Sequence, residues 1–228
     1  MSSILEHVAS TTPTTDKEPV KLKVKVPQGT IYWGGAGLNG GYVQPQIEAF
    51  RKTGIRHIWV GLTNTATKVM GGEFGTIVDA IRAGLIIRYE DESPWTIDSG
   101  MDQPAEQFNL IGYSYGSLLA AQTANFYSKK GFKVDNLVLI GSPIEKEFLF
   151  KLRAYRNIGK VTVIDLREHG DPIYAGMPLT ELTAGVPQLA KDMLANKGEG
   201  HFYYGHVVPD SQRRWTDLAK KIYDAGLR

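Results

Sequence analysis

The residues of this sequence that could do chemistry begin with a serine set between two glycines. Gly112, Ser114 and Gly116 form a Gly-x-Ser-x-Gly pattern at the end of the apolar run that starts at Asn109. A serine on a sharp turn from a strand into a helix carries its hydroxyl clear of the sheet, but the strained backbone crowds the positions two residues to either side. Glycine relieves that crowding. The pattern therefore predicts a nucleophile elbow at Ser114.

The sequence that follows supplies the helix that such a turn needs. Residues 117–130 are rich in helix formers, carry basic residues in their last turn and stop at Gly131. The short pattern also occurs by chance, so an ordinary turn that contains a serine is the alternative interpretation. Strand, turn and helix together favour catalysis.

A serine hydroxyl needs a base for its proton, and the base needs a carboxylate that holds its tautomer. Asp171 is the first candidate for the acid, because it follows the last predicted strand in the turn His-Gly-Asp-Pro. An aspartate that only stabilises the turn is the alternative interpretation. Asp165, Glu168 and Asp192 are less well placed candidates.

Two histidines in one loop, His201 and His206, are the candidates for the base. His201 follows Gly198-Glu-Gly200, a flexible approach that lets the backbone enter a crowded cleft. His206 leads directly into the terminal helix and is expected to pack where that helix docks. We predict that His201 is the general base. The same two histidines are the only support for a metal site, and no His-Glu-x-x-His helix is present, so we expect no metal and no cofactor.

Alternating strands and helices would have to position these residues. Strands are predicted at 30–33, before Gly112, and at 56–62, 136–140 and 160–166, and helices at 44–52, 76–88, 117–130, 145–155, 187–196 and 211–225. Nearly continuous apolar strands between helices predict a three-layer α/β/α sandwich with a mostly parallel sheet. Residues 20–26 alternate lysine with apolar residues, which is typical of a half-exposed edge strand.

Composition limits the class of protein. With 228 residues and 42% hydrophobic composition, the chain predicts one domain at 20–228 after a flexible polar tail at 1–19. The 26 basic and 24 acidic side chains nearly cancel, so we expect no nucleic-acid partner. The chain has no cysteine, which excludes disulfides and thiolate nucleophiles. Neither a signal peptide nor a membrane helix is apparent, so we expect a soluble protein that is cytoplasmic or exported without a cleaved signal.

Three motifs together resemble the α/β-hydrolase superfamily in its lipase and esterase branch. They are Gly-Tyr-Ser-Tyr-Gly after an apolar strand, Gly-Asp-Pro-Ile after a later strand, and Gly-His-Phe near the end. The resemblance covers about residues 28–228, and the order Ser, Asp, His matches that superfamily. It implies that Ser114 is the nucleophile, Asp171 the acid and His201 the base. The short chain implies a minimal hydrolase fold without a large inserted cap.

The same resemblance implies an oxyanion hole. One donor would be the N–H of Tyr115, and the second would be the N–H of Gly35 or Ala36 in the glycine-rich segment 34–41. The chain lacks the His-Gly pair that opens this loop in many lipases. A dinucleotide site is the competing interpretation of the segment, but the glycines lack the Gly-x-Gly-x-x-Gly spacing.

These residues predict a serine hydrolase that cleaves a lipid or other acyl ester. Tyr113, Met177, Leu179 and Tyr203 could supply an apolar acyl pocket. An acyl thioesterase uses the same parts, and an inactive hydrolase fold that serves as a binding module is an alternative from another class. The tail also resembles small bacterial lipase-like hydrolases, some of which are antibacterial effectors. That likeness implies peripheral contact with membrane lipid and a protein inhibitor as partners.

Overall fold

The computed structural model describes residues 28–35, 40–60 and 105–228, apart from the side chains of Leu179 and Thr183. Within these ranges, five strands form one sheet in which every neighbouring pair is parallel, in the order β2-β1-β3-β4-β5. The strands are β1 (Gly29–Trp33), β2 (Ile58–Val60), β3 (Phe108–Tyr113), β4 (Val134–Ile140) and β5 (Ile158–Ile164). Every residue of β1 and β3 is buried, as expected for central strands that are covered on both faces.

Helices cover both faces of this sheet. They are α1 (Val43–Thr53), α2 (Tyr115–Lys129), α3 (Lys146–Ala154), α4 (Leu179–Ala195) and α5 (Ser211–Asp224). One core cluster packs α2 and α3 against residues such as Leu110 and Leu139. A second cluster packs α1 and α5 against the alternate positions, among them Ile111 and Val138. The predicted three-layer sandwich with a parallel sheet is confirmed.

The strand order changes direction between β1 and β3. The chain passes outward from β1 to its neighbour β2, whereas β3, on the other side of β1, is followed by β4 and then β5. In open parallel sheets, ligands bind at the carboxyl ends of the strands where the order reverses. Trp33 pairs with Gly112 in the register of these two strands. The glycine segment that follows Trp33 therefore emerges beside Ser114.

Helix α4 begins eight residues before the predicted start at Pro187. The sequence prediction took this proline as a helix start, but it lies inside the helix on an exposed side. A proline there removes one backbone hydrogen bond. Leu182 and Leu189, on either side of it, are both buried with Met177. Their burial offsets the missing bond.

Some predictions fall on residues that the structure does not describe. The tail at 1–19, the strand at 20–26, the helix at 76–88 and part of the strand at 56–62 lie outside the described ranges. The division into tail and domain stays a prediction. Within the described ranges, no helix is both long enough and apolar enough to cross a membrane.

Candidate active site

Ser114 occupies the turn between β3 and α2 in a conformation that non-glycine residues rarely adopt, with φ 54° and ψ −123°. A side chain at either glycine of the pattern would collide with neighbouring backbone atoms. A Cβ on Gly112 would lie 2.3 Å from the carbonyl oxygen of Gly116, and a Cβ on Gly116 would lie 2.2 Å from the carbonyl oxygen of Gly34. Both distances are far below van der Waals contact. The turn therefore tolerates only glycine at these positions.

Hydrogen bonds hold the strained turn. The N–H of Ser114 donates to the carbonyl of Ile140 on β4 at 2.8 Å. The Ser117 hydroxyl donates to the Ser114 carbonyl and lies 2.7 Å from the hydroxyl of Ser142, which follows β4. Both hydroxyls are buried. Strain of this kind persists only where surrounding contacts determine the conformation, and these bonds tie the turn to the end of the neighbouring strand.

Ser114, His201 and Asp171 form a continuous row of hydrogen bonds. Ser114 Oγ lies 2.6 Å from His201 Nε2, and His201 Nδ1 lies 2.8 Å from Asp171 Oδ2. His201 and Asp171 are buried at 5% and 4% exposure, whereas Ser114 is partly exposed. The serine can therefore be reached from solvent while the other two side chains are shielded.

The row also determines the tautomer of the histidine. An ionised carboxylate can only accept a hydrogen bond, so Nδ1 of His201 carries the hydrogen that faces Asp171. In the neutral ring, Nε2 then has a free lone pair directed at the Ser114 hydroxyl. This arrangement can take a proton from the serine.

A short turn after β5 positions Asp171. A single 3-10 turn at Arg167–His169 ends at Gly170, whose φ of 89° suits glycine. Asp171 Oδ1 accepts the N–H of Ile173 at 2.8 Å, which leaves Oδ2 for His201. Both carboxylate oxygens of this buried side chain are therefore paired.

The three alternative candidates for the acid contact other side chains. Asp165 pairs with the Arg167 guanidinium at 2.7 Å. Glu168 lies 3.3 Å from the His169 ring. Asp192 accepts a hydrogen bond from the Gln188 amide at 2.7 Å. The structure therefore brings Asp171, and none of these three, to His201.

The loop that carries His201 spans residues 197–206. Side chains of β3, α1 and α5 donate hydrogen bonds to its backbone. The Tyr113 hydroxyl donates to the His201 carbonyl. Gln46 Nε2 of α1 and Trp215 Nε1 of α5 both donate to the Tyr204 carbonyl, at 2.7 and 3.0 Å. Arg214 Nη1, also on α5, donates to the carbonyls of Gly198 and Tyr203. The sheet and two helices thus keep the imidazole in place.

His206 lies in the same loop but makes different contacts. Its Nδ1 accepts the N–H of Gly198 at 3.3 Å, and its ring stacks on Phe202 at a centroid distance of 4.7 Å. Its carbonyl accepts a hydrogen bond from Ser211, the first residue of α5. His206 is thus part of the contact between the loop and α5. In the part of the chain that the structure describes, no three His, Asp or Glu side chains are grouped closely enough to hold a metal ion.

Gly35, in the described part of the glycine segment, lies beside Ser114. The N–H of Tyr115 is at the start of α2, where backbone N–H groups have no partner within the helix. The N–H of Gly35, however, donates to the Tyr42 hydroxyl at 2.8 Å. The hydrogen of this predicted oxyanion donor is therefore already engaged. Ala36, the other candidate, lies outside the described residues.

Three of the four residues predicted to line an acyl pocket pack against other parts of the protein. Tyr113 is 3% exposed, and burial raises the pKa of its hydroxyl well above the usual value. Met177 is 1% exposed within the cluster that packs against α4. The Tyr203 ring lies between the His169 ring and the Arg214 guanidinium, at 3.5 and 4.1 Å. The side chain of Leu179 is not described. The assignment of these four residues to an acyl pocket stays a prediction.

Sequence reasoning missed the residues that support the site from a distance. They are Tyr42, Gln46, Ser117, Ser142, Arg214 and Trp215. Nothing in the local pattern distinguishes a helix glutamine that holds a loop from one that faces water. Tyr42 had one signal, because it directly follows the glycine segment.

Comparison with protein families agrees with this geometry. Residues 96–147, which include β3, the turn at Ser114 and α2, match a family described as alpha/beta hydrolase. This match supports membership in the α/β-hydrolase superfamily. Among curated proteins, none matches the chain. The match and the paired, buried His201 and Asp171 indicate a hydrolase.

Proposed function

We propose that this protein is a serine hydrolase that cleaves carboxylic esters through an acyl-enzyme. The observation that supports this proposal is the row of hydrogen bonds from Ser114 through His201 to Asp171, with distances of 2.6 and 2.8 Å. Heavy-atom distances in this range are what proton transfer between a nucleophile and its base requires. We propose Ser114 as the nucleophile, His201 as the base and Asp171 as the residue that orients it.

In the first half of the reaction, Ser114 Oγ attacks the ester carbonyl carbon while its proton passes to Nε2 of His201. The carbonyl oxygen becomes an oxyanion, and Asp171 stabilises the imidazolium that forms. The C–O bond to the leaving alcohol then breaks. His201 gives its proton to that alcohol, which leaves an acyl group on Ser114.

In the second half, water takes the place of the alcohol. His201 removes a proton from the water as it attacks the acyl carbon, and a second oxyanion forms. Collapse of this intermediate returns the proton from Nε2 to Ser114 Oγ and releases the carboxylic acid. No redox change occurs, and every proton that His201 takes it also returns.

The strain at Ser114 argues against an inactive binding module. A positive φ at a serine costs on the order of 1–3 kcal/mol, and such strain clusters at functional sites. A module that does not use the hydroxyl has no need for this conformation or for the two glycines that allow it. Thioester cleavage uses the same residues, so measured turnover of esters and thioesters distinguishes the two activities.

Labelling with a fluorophosphonate probe tests the proposal directly, because only an activated serine reacts rapidly with it. We expect the unmodified protein to label and Ser114→Ala to give no label while it keeps the same thermal midpoint. Ser128→Ala is a control, since it removes a buried serine hydroxyl at the other end of α2 for which the described residues supply no hydrogen-bond partner, and it should still label. A protein that labels equally with and without the Ser114 hydroxyl would overturn the proposal.

Turnover identifies the substrate class. Ser114→Ala should lower kcat for p-nitrophenyl esters by a factor on the order of 10⁴ or more. A series of esters with graded chain length, measured beside phospholipids and acyl thioesters, separates an esterase from a lipase and from a thioesterase. If one tenth of the activity remains in Ser114→Ala, the hydrolysis does not come from this site.

A further inference from the structure

Gly35 lies against the nucleophile and against two tyrosine side chains. A Cβ built on Gly35 would lie 3.3 Å from Ser114 Cβ, 3.5 Å from the Tyr42 hydroxyl oxygen and 3.6 Å from the ring of Tyr113. The backbone of Gly35 is not in the left-handed region, so its conformation does not require glycine. These distances are tight to ordinary van der Waals contact, so glycine at this position lets the Ser114 side chain and the Tyr42 hydroxyl lie close together.

The Tyr42 hydroxyl carries a hydrogen that it can donate beside Ser114. Its oxygen accepts the N–H of Gly35 at 2.8 Å. Among the described residues, no atom is found to accept the hydrogen that this hydroxyl itself carries. The side chain is only 6% exposed. Buried polar hydrogens in native proteins nearly always have a partner, so an open donor next to a nucleophile needs an explanation.

Packing holds Tyr42 in this position. Its ring meets the ring of Tyr113 edge to face at a centroid distance of 5.8 Å. It also lies against the backbone at Gly40, where an added Cβ would come within 2.3 Å of it. Tyr42 directly precedes α1, whose helical N–H groups begin at Val43. The contacts with Tyr113 and with the backbone at Gly40 therefore fix the direction of the Tyr42 hydroxyl.

We propose that Tyr42 is a catalytic residue whose hydroxyl donates a hydrogen bond to the oxyanion formed at Ser114. The inference rests on the proposed function, because it assigns a donor to the same reaction. Tyr42 would replace, with a side chain, the backbone N–H that the sequence assigned to Gly35. The N–H of Tyr115 at the start of α2 would be the other donor.

The chemistry of the phenol suits this role. Burial raises the pKa of Tyr42 to about 12, so the hydroxyl stays protonated at neutral pH. Donation from Gly35 to the phenol oxygen polarises the O–H bond and strengthens its own donation. A fixed donor aimed at developing charge needs no reorganisation during the reaction, and removing one typically costs about 10² to 10³ in kcat.

Tyr42→Phe tests the inference, since phenylalanine keeps the ring and removes only the hydroxyl. We expect kcat for a p-nitrophenyl ester to fall by about 10² to 10³ with little change in KM. Inhibition by an aryl trifluoromethyl ketone, which forms an oxyanion on the serine, should weaken by a similar factor. Tyr155→Phe is the matched control, because its hydroxyl donates to Asn125 at 2.8 Å and is not part of the row of hydrogen bonds at Ser114.

Gly35→Ala tests the close approach of Tyr42 to Ser114 without removing any donor. Its methyl group would lie 3.3 Å from Ser114 Cβ and 3.5 Å from the Tyr42 oxygen, and so would press the two side chains apart. We expect the same loss of kcat and of ketone affinity. Gly41→Ala is the control in the same segment, because among the described residues its Cβ would meet only Val207, at 3.6 Å.

The outcomes separate this inference from the proposed function. If the unmodified protein labels with the fluorophosphonate and Tyr42→Phe keeps kcat within about threefold, Tyr42 is not the donor, although Ser114 remains the nucleophile. A rise in KM at constant kcat would also overturn the inference, because it indicates ordinary substrate binding. If Tyr42→Phe fails to fold, the result of Gly35→Ala decides. Absence of labelling in the unmodified protein would remove both proposals.

Discussion

The two sides of Ser114 are built differently. On the His201 side, both carboxylate oxygens of Asp171 and both ring nitrogens of His201 have partners. On the Gly35 side, the Tyr42 hydroxyl accepts one hydrogen bond but has no described acceptor for its own hydrogen. One side of the nucleophile is completely paired before substrate arrives, and the other is left open.

The difference reflects what each side must do in the proposed reaction. A proton can pass only along hydrogen bonds of the right tautomer and length, so that side has to be complete beforehand. Negative charge appears only in the transition state, so its donors have to be fixed and empty until then. A buried donor without a partner is costly elsewhere in a protein. Beside a nucleophile the same feature is useful.

The largest effect should come from removing the base. We expect His201→Ala to lower kcat by a factor on the order of 10⁶, because the serine proton then has no acceptor. His206→Ala is the control from the same loop, and it should keep nearly full esterase activity while it lowers the thermal midpoint, because it loses its stacking on Phe202. Near-complete loss of rate in His206→Ala alone would show that the base was assigned to the wrong histidine.

A somewhat smaller loss is expected when the acid is neutralised without a change of shape. In Asp171→Asn, the amide can donate to Nδ1 of His201, which moves the ring hydrogen to Nε2 and points it at Ser114. We expect kcat to fall by roughly 10⁴. Asp165→Asn, which affects only the pair with Arg167, should leave kcat unchanged. The reverse result would transfer the role to Asp165.

A third variant tests how far the hydrogen bond from Tyr113 determines the position of His201. Tyr113→Phe removes the hydrogen bond to the His201 carbonyl but touches no reacting atom. A small displacement of a catalytic group lowers rate, and we expect about a tenfold drop in kcat. Urea unfolding should show a loss of about 1–3 kcal/mol, because the buried carbonyl loses its partner. An unchanged kcat with the same loss of stability would mean that other contacts suffice to place His201.

The smallest effect concerns the pH dependence of stability at His169, which lies outside the row of hydrogen bonds formed by Ser114, His201 and Asp171. Burial, opposed by the nearby Glu168 carboxylate, lowers the pKa of His169, whose ring stacks on Tyr203. The folded protein thus binds this proton less tightly than the unfolded chain does. The contribution of His169 to stability is complete above about pH 6.5, the usual histidine value, and is lost as the pH falls below it.

His169→Phe keeps a ring in the stack but cannot take up a proton. Its thermal midpoint should therefore fall less than that of the unmodified protein when the pH is lowered from 7.5 to 5.5, while kcat at pH 7.5 stays the same. Equal falls in both proteins would show that this ring does not contribute to acid sensitivity.

Local patterns predicted the layers of this fold and the turn at Ser114. The helices of both faces, the parallel sheet and the glycines at 112 and 116 are all encoded within a few neighbouring residues, because apolar periodicity and backbone crowding act over short distances along the chain. The start of α4 was predicted wrongly for the opposite reason. Pro187 is a strong local signal, and burial of Leu182 and Leu189 against residues outside the helix outweighs it.

The sequence by itself determined which residues could take part: one serine in an elbow, a few carboxylates after the last strand, and two histidines in one loop. Only the tertiary structure shows which of them lie together. Asp171 faces His201 across 30 positions, the Gln46 amide reaches the Tyr204 carbonyl across 158, and the Tyr42 hydroxyl takes the Gly35 N–H that the sequence had assigned to an oxyanion. These choices depend on distances between side chains that the fold brings together, and such distances leave no periodic trace in the chain.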